Sequence, residues 1–210
     1  MTDKAGFIGL GAMGGPMALN MLKKGIPLIV HDIDPVKVEK LAAAGAEIAR
    51  SSKETAASVK RVICLVETTE QARDVILGEN GIIHGVDAGD VVLCMSTIDP
   101  LVAKEIGVSL NEKGVKMLDA PISGGTPKAQ EGTLAVIVGG EVETFERCRD
   151  IFDAVGEHAF HVGPQGQGLV MKLINNMLGI TNTIVLIEGL VIGANRSRSV
   201  QPFQGALATS

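Results

Sequence analysis

The stretch "AGFIGLGAMGGPMALNML", Ala5 to Leu22, decides the fold. A short apolar run, Ala5–Leu10, passes directly into Gly9-Leu10-Gly11-Ala12-Met13-Gly14, and a helical pattern follows from Met13 to Lys24. This is G-x-G-x-x-G between a strand and a helix. Gly9 permits the tight turn, Gly11 lets a pyrophosphate approach the backbone, and Gly14 lets helix pack on strand. The start of such a helix offers unpaired N–H groups and a partial positive charge to an anion. The next strand-like run, Leu28–Asp32, ends on an acid 23 residues beyond Gly9, near the expected separation of about 20. Asp32 can accept hydrogen bonds from an adenine ribose and repels a 2′-phosphate. No arginine follows it, and "HDIDPVK" supplies only Lys37. NAD is therefore expected as the cofactor, with NADP less favoured.

Outward from this unit the alternation continues. Strands are expected at Arg61–Val66, Val91–Met95, Val115–Asp119 and Leu134–Val138, with helices at Val36–Ala44, Glu70–Ile76, Val102–Lys113 and Glu143–Ala154. Gly25, Gly45 and Gly114 follow three of the helices, where left-handed caps belong. Such alternation implies an α/β fold: a Rossmann-type, mostly parallel, doubly wound sheet with helices on both faces. After Gly163 the pattern changes to one long helix, about Gly168–Ala194. It is apolar nearly all round and calls for neighbours on both sides. "NRSRSVQPFQGALATS" has neither period and reads as irregular. The expected organisation is 1–163 for the nucleotide-binding domain, 164–195 for the long helix, and 196–210 for the tail.

Bulk properties exclude several classes. A net charge of −5 without a Lys/Arg cluster argues against nucleic acid as partner. Cys64, Cys94 and Cys148 have no metal-ligand spacing; no metal is expected, and the odd count suits a reducing cytoplasm. "MTDKAGFIGL" lacks the plan of a signal peptide. Leu169–Ile192 is long enough for a bilayer but carries Lys172, Asn175, Asn176, Asn182 and Glu188. It is expected to be a buried helix of a soluble protein, not a membrane span.

Two further stretches carry chemistry. "DAPISGGTPKAQEGTLAVIVGG", Asp119–Gly140, puts Ser123-Gly124-Gly125 past a strand end. Successive glycine N–H groups and a hydroxyl can form an anion-binding concavity, although an ordinary strand-to-helix turn accounts for this composition more simply. In "GQGLVMKLINNML", Gly166–Leu178, Lys172 and Asn176 lie four apart and share a helix face. Asn175 points about 100° away. A surface stripe is the bland reading, but Val170, Met171, Leu173, Ile174 and Met177 leave no wide polar face. A lysine among apolar groups has its proton affinity reduced, which suits proton transfer near neutral pH.

Together, "FIGLGAMGGPMALNML", "DAPISGGTPKAQEGTLAVIVGG" and "GPQGQGLVMKLINNM" resemble the cofactor, substrate and catalytic signatures of the β-hydroxyacid dehydrogenases. The resemblance covers about Ala5–Ala194. It implies an NAD-dependent oxidoreductase interconverting a small β-hydroxyacid and its oxoacid or semialdehyde. Lys172 would be the acid/base and Asn176 would position the substrate. Ser123, Gly124 and Gly125 would hold its carboxylate, and the loops at Val66 and Thr97 would run along the nicotinamide half of the cofactor. Phosphogluconate dehydrogenases usually have a histidine where this chain has Asn175, and rank lower. Many family members have a proline where this chain has Glu67. Members also continue as an all-helical domain, so here the C-terminal all-α domain is expected to be truncated, with the frame diverging beyond about Asn195. A homodimer or higher oligomer through the long helix is expected. The competing readings are an inactive NAD-binding fragment and an imine reductase, against which Lys172 argues.

Overall fold

The computed structural model of the protein describes residues 3–196, with side chains to Ala194. The expected irregular tail, 196–210, lies almost wholly outside the described residues. The chain divides into two compact units, with the division between Lys172 and Leu173.

In chain order the first unit runs β1 (Ala5–Ile8), α1 (Gly14–Lys23), β2 (Leu28–His31), α2 (Pro35–Ala43), β3 (Glu47–Ile48), α3 (Ser52–Ala57), β4 (Arg61–Cys64) and α4 (Thr69–Leu77). It continues with β5 (Val91–Cys94), α5 (Pro100–Asn111), β6 (Lys116–Asp119), β7 (Ile122–Ser123), α6 (Gly125–Glu131) and β8 (Leu134–Gly139). Next come α7 (Val142–Arg147), α8 (Arg149–Val155), β9 (Gly156–Gly163) and the start of α9 (Gln167–Arg196). The strands form one sheet in the order β3-β2-β1-β4-β5-β6-β8-β7, with β9 pairing β8. The order reverses between β1 and β4, the place where ligands of doubly wound sheets sit. From β3 to β6 every pairing is parallel. The antiparallel step comes at β8, because β7 and α6 turn the chain back without a full crossover.

Period-2 alternation sorts the strand side chains onto two cores, as expected of a sheet covered on both faces. Phe7, Leu28, Val30, Ile63, Val91 and Leu93 face one core with Met17 and Phe152. Their sequence neighbours Ile8, Ile29, Val62, Cys64, Val92 and Cys94 face the other with Ile76 and Ile106. Each such side chain contributes about 1.5–3 kcal/mol by leaving water, so a one-residue slip of any strand is strongly disfavoured.

The first four expected strands are observed one or two residues shorter at their carboxyl ends, whereas the fifth starts one residue later, at Lys116, and the sixth runs one residue longer, to Gly139. At the shortened ends Gly9, Leu65, Val66 and Met95 leave the ladder to become loops. Helix starts also differ, because caps set them. Asp34 accepts from Val36 N ahead of Pro35, Thr68 and Gln71 form a capping box, and Asp99 accepts from Leu101 N ahead of Pro100. The run expected as one helix, Glu143–Ala154, is two helices broken at Cys148. Gly25, Gly45 and Gly114 adopt positive φ (82°, 104° and 73°), as expected of left-handed caps.

The largest correction concerns α9. In the second unit it is a single helix whose apolar side chains, among them Ile180, Ile184, Val185 and Ile187, are exposed. The expected burial is not met, because among the described residues of this unit no other element packs on the helix. By length and composition it is apolar enough to cross a membrane.

Candidate active site

β1, β4, β5 and β6 are parallel, so their carboxyl-end loops lie along one sheet edge. At the first of these, Gly9 holds φ +94°, and a Cβ there would strike the Leu65 carbonyl group. A Cβ on Gly14 would strike the Gly9 carbonyl, whereas one on Gly11 meets nothing within 4 Å. Two glycines therefore serve the fold, and Gly11 is left open to solvent. Helices α2 to α5 each open on a side-chain cap, but α1 opens at Met13 with none and with no acid in its first turn. The amides of Gly11, Ala12 and Met13 donate no hydrogen bond among the described residues. This is a cradle that a pyrophosphate fits. A groove of about 460 Å³ continues from it between α1 and α2, past Leu10, Ala12 and Lys37.

Asp32 stands just beyond β2 with both oxygens already engaged. Oδ2 accepts from Leu10 N at 2.6 Å, and Oδ1 accepts from Asp34 N at 2.8 Å. The carboxylate thus ties the glycine turn to the following loop, and each oxygen keeps a second lone pair for a ribose hydroxyl. Lys37 Nζ lies 4.0 Å from Asp32 and 3.6 Å from Asp34, held by two acids. Along the same edge, Val66 N donates to Ser96 Oγ at 2.7 Å, which joins the β4 and β5 loops. Thr97 is exposed beside it. At the departure from the family pattern, Glu67 N donates to Gln71 Oε1 at 3.0 Å, as does Thr68 N at 3.2 Å. A proline at 67 could not donate, so the loop here is held differently.

Ser123 closes β7. Gly124 and Gly125 follow, exposed, at φ +134° and +73°, conformations that favour glycine. Lys172 is a buried cation: its residue is 8% exposed, and no carboxylate lies within ion-pair distance among the described residues. Burial alone pushes its ammonium below the ordinary lysine value of 10.5. Asn176 belongs to the second unit, where it lines a shallow cavity of about 310 Å³ with Asn175, Gly179 and Thr183. The structure therefore gathers Gly9–Gly14, Asp32, Val66 and Thr97 on one edge. Three strand steps of about 4.8 Å separate β1 from β6, the strand whose last residue carries the start of α9.

That residue is Asp119, which the sequence motifs leave without a role. Its side chain is fully buried, and it accepts from Gly166 N at 2.6 Å and Leu169 N at 2.9 Å. Burial raises its pKa, and these N–H groups oppose the rise. An acid ending an otherwise apolar strand was the available signal.

An uncapped helix behind a glycine turn, a carboxylate at the next strand end and a topological switch point define a dinucleotide-binding domain of the doubly wound class. Residues 4–163 match the family described as the NAD binding domain of 6-phosphogluconate dehydrogenase. The NAD-dependent L-serine dehydrogenase of Pseudomonas aeruginosa is 41% identical over 187 residues, 89% of this chain and 63% of that one. The 2-(hydroxymethyl)glutarate dehydrogenase of Eubacterium barkeri is 33% identical over 99% of this chain and 69% of its own length. The Mycobacterium tuberculosis 3-hydroxyisobutyrate dehydrogenase, solved with L-serine, superposes with a TM-score of 0.91 at 28% identity, covering 100% of this chain and 71% of that one. The chain belongs to this NAD-binding family and, within it, to the β-hydroxyacid dehydrogenases. It spans under two thirds of the serine dehydrogenase's length.

Proposed function

We propose that the chain binds NAD and carries the proton-transfer lysine of a dehydrogenase that interconverts a small β-hydroxyacid and its oxoacid or semialdehyde. The observation that carries this reading is Lys172, a buried ammonium with no carboxylate at ion-pair distance among the described residues, at the head of a helix that starts beside the carboxyl edge of the sheet. Such a group is costly to the fold, and its lowered proton affinity suits a general base.

When bound, NAD supplies the hydride acceptor. Gly11, Ala12 and Met13 offer amides to its pyrophosphate, Asp32 receives the adenine ribose, and the Val66 and Thr97 loops flank the nicotinamide half. In oxidation, neutral Lys172 Nζ takes the hydroxyl proton as the carbinol carbon loses hydride; in reduction, the ammonium returns that proton and stabilises the developing oxyanion. The Ser123–Gly125 turn holds the substrate carboxylate, and Asn176, one helical turn beyond Lys172, orients the hydroxyl. Residues 164–195 open the helical part of the enzyme, and oligomers form through its apolar surface.

The test is NADH binding together with NAD⁺ reduction by the full chain and by Lys172→Ala. A panel of 3-hydroxyisobutyrate, glycerate, 3-hydroxypropionate and serine supplies substrates. Binding in both proteins, with turnover in the parent only, supports the reading. Turnover that survives in Lys172→Ala overturns Lys172 as the acid/base. The exposed apolar face of α9 favours a second reading, cofactor binding without chemistry, and that would appear as binding without turnover across the panel. Turnover of cyclic imines instead of hydroxyacids would assign an imine reductase.

A further inference from the structure

We propose that Asp119 is a positioning residue: from the end of β6 its carboxylate caps the start of α9 and thereby fixes where Lys172 stands. This rests on the reading of Lys172 as the proton-transfer group.

A helix leaves its first N–H groups without intrahelical partners. In α9, Gln167 N donates to Pro164 O at 3.1 Å, and the first intrahelical bond runs from Val170 N to Gly166 O, also at 3.1 Å. Between them, Leu169 N donates to Asp119 Oδ2 at 2.9 Å, while Gly166 N, just before the helix, donates to Asp119 Oδ1 at 2.6 Å. In a capping box these two amides are served by two side chains of the helix's own first turn. Here one carboxylate, 47 and 50 residues upstream, serves both. Its negative charge also suits the positive end of the helix dipole.

The surrounding glycines make the seat rigid. A Cβ on Gly139 would lie 2.6 Å from Asp119 Oδ1. One on Gly168 would lie 2.6 Å from the Ile137 carbonyl oxygen and 2.7 Å from that of Asp119. Gly166 takes φ +92°. Of the glycines of "GQG", Gly168 therefore lets the helix start touch the β6 and β8 backbones, Gly166 supplies the left-handed turn into it, and Asp119 locks it there. Lys172 follows Leu169 by three residues, less than one turn. A helix start that slides or frays moves the amine directly. No ion pair links the two, so Asp119 acts through the backbone and not through its charge on the lysine.

The experiment compares the full chain with Asp119→Asn. Asparagine keeps the shape and one acceptor but turns an NH₂ towards the second amide. The lysine amine is titrated by NMR with isotope-labelled lysine, assigned by Lys172→Arg, and NADH binding serves as the control for an intact first unit. The expected result is that Lys172 titrates nearer to 10.5 than in the parent, while NADH binds equally. kcat falls about 10- to 100-fold, the scale of a small misplacement. An unchanged Lys172 titration in a folded Asp119→Asn overturns the proposal. The titration is read whether or not the parent turns over, so a parent without turnover defeats the proposed function alone. If Asp119→Asn does not fold, hydrogen exchange in the parent decides. Gly166 and Leu169 amides as slow as those of β6 support the cap, and amides as fast as those of exposed segments overturn it.

Discussion

At the scale of single residues, the fold and the chemistry pull Lys172 in opposite directions. Burial lowers its pKa below 10.5, so folding disfavours the ammonium. That penalty is complete at pH values below the folded pKa and is relieved as pH rises through it towards 10.5. Lys172→Met should therefore be more stable than the parent at pH 7, by about 1 kcal/mol or roughly 2–4 °C in Tm. The advantage should shrink in alkaline melts, and differential scanning calorimetry across pH would show both. The same shift makes hydroxyacid oxidation rise with pH about a midpoint below 10.5, whereas Lys172→Met should lose about 10²- to 10⁴-fold in rate. Two glycines of the first turn, Gly11 and Gly14, separate differently. Gly11→Ala meets no atom within 4 Å and should keep the parent's Tm while weakening NADH at least about 10-fold, equivalent to about 1.4 kcal/mol. Gly14→Ala drives a methyl group into the Gly9 carbonyl and should cost the fold itself about 1–3 kcal/mol. Paired melts and NADH titrations of the two variants test that division.

At the scale of elements, β4 is tied to α8 by a partly buried ion pair far from the cofactor loops. Arg61, at the amino end of β4, is 7% exposed and meets both oxygens of Asp150, the Arg147 carbonyl and the Asp3 carbonyl. Asp150→Ala strands that guanidinium. Its cost should be about 2–3 kcal/mol, slightly below that of a fully buried pair because Asp150 is partly exposed. Tm should fall by about 5–10 °C, with NADH affinity unchanged, because the pair lies at the opposite end of the strands from Gly9–Gly14. This pairing was invisible in the sequence, where nothing brings residues 61 and 150 together. β1, β2, β4 and β5 were legible because both their faces are buried, leaving unbroken apolar runs. β9 was not: "GEHAFHVG" pairs, among the described residues, with β8 alone, is half-exposed, and mixes Glu157, His158 and His161 into its pattern. β3 and β7 are two residues each, too short to show a period. Among the site residues, Gly9–Gly14 and Asp32 were legible because a dinucleotide turn constrains backbone and sequence together. Asp119 was not, because its partners are backbone amides some fifty residues away.

At the scale of the whole molecule, the exposed helix surface sets the behaviour in solution. Ile180, Ile184, Ile187 and Val191 recur at three- and four-residue spacing and are each more than half exposed. Transferring such a stripe from water gives about 25 cal/mol per Å², a gain that favours association when two copies bring their stripes together. Glu188 and Asn182 lie along the same segment, and both are costly in a lipid interior, so a partner of protein is favoured over a bilayer. The expected outcome is concentration-dependent sedimentation as a dimer or larger species at micromolar concentrations. Ile180→Lys with Ile184→Lys should shift it to monomer while leaving NADH binding intact, because the cofactor turn lies in the first unit. Two results would count against association through this stripe: a double variant that sediments like the parent, or a parent that is monomeric yet floats with phosphatidylcholine vesicles. The second would assign the apolar surface to lipid. The control in either case is NADH binding, which reports that the first unit has folded around its sheet whatever becomes of α9.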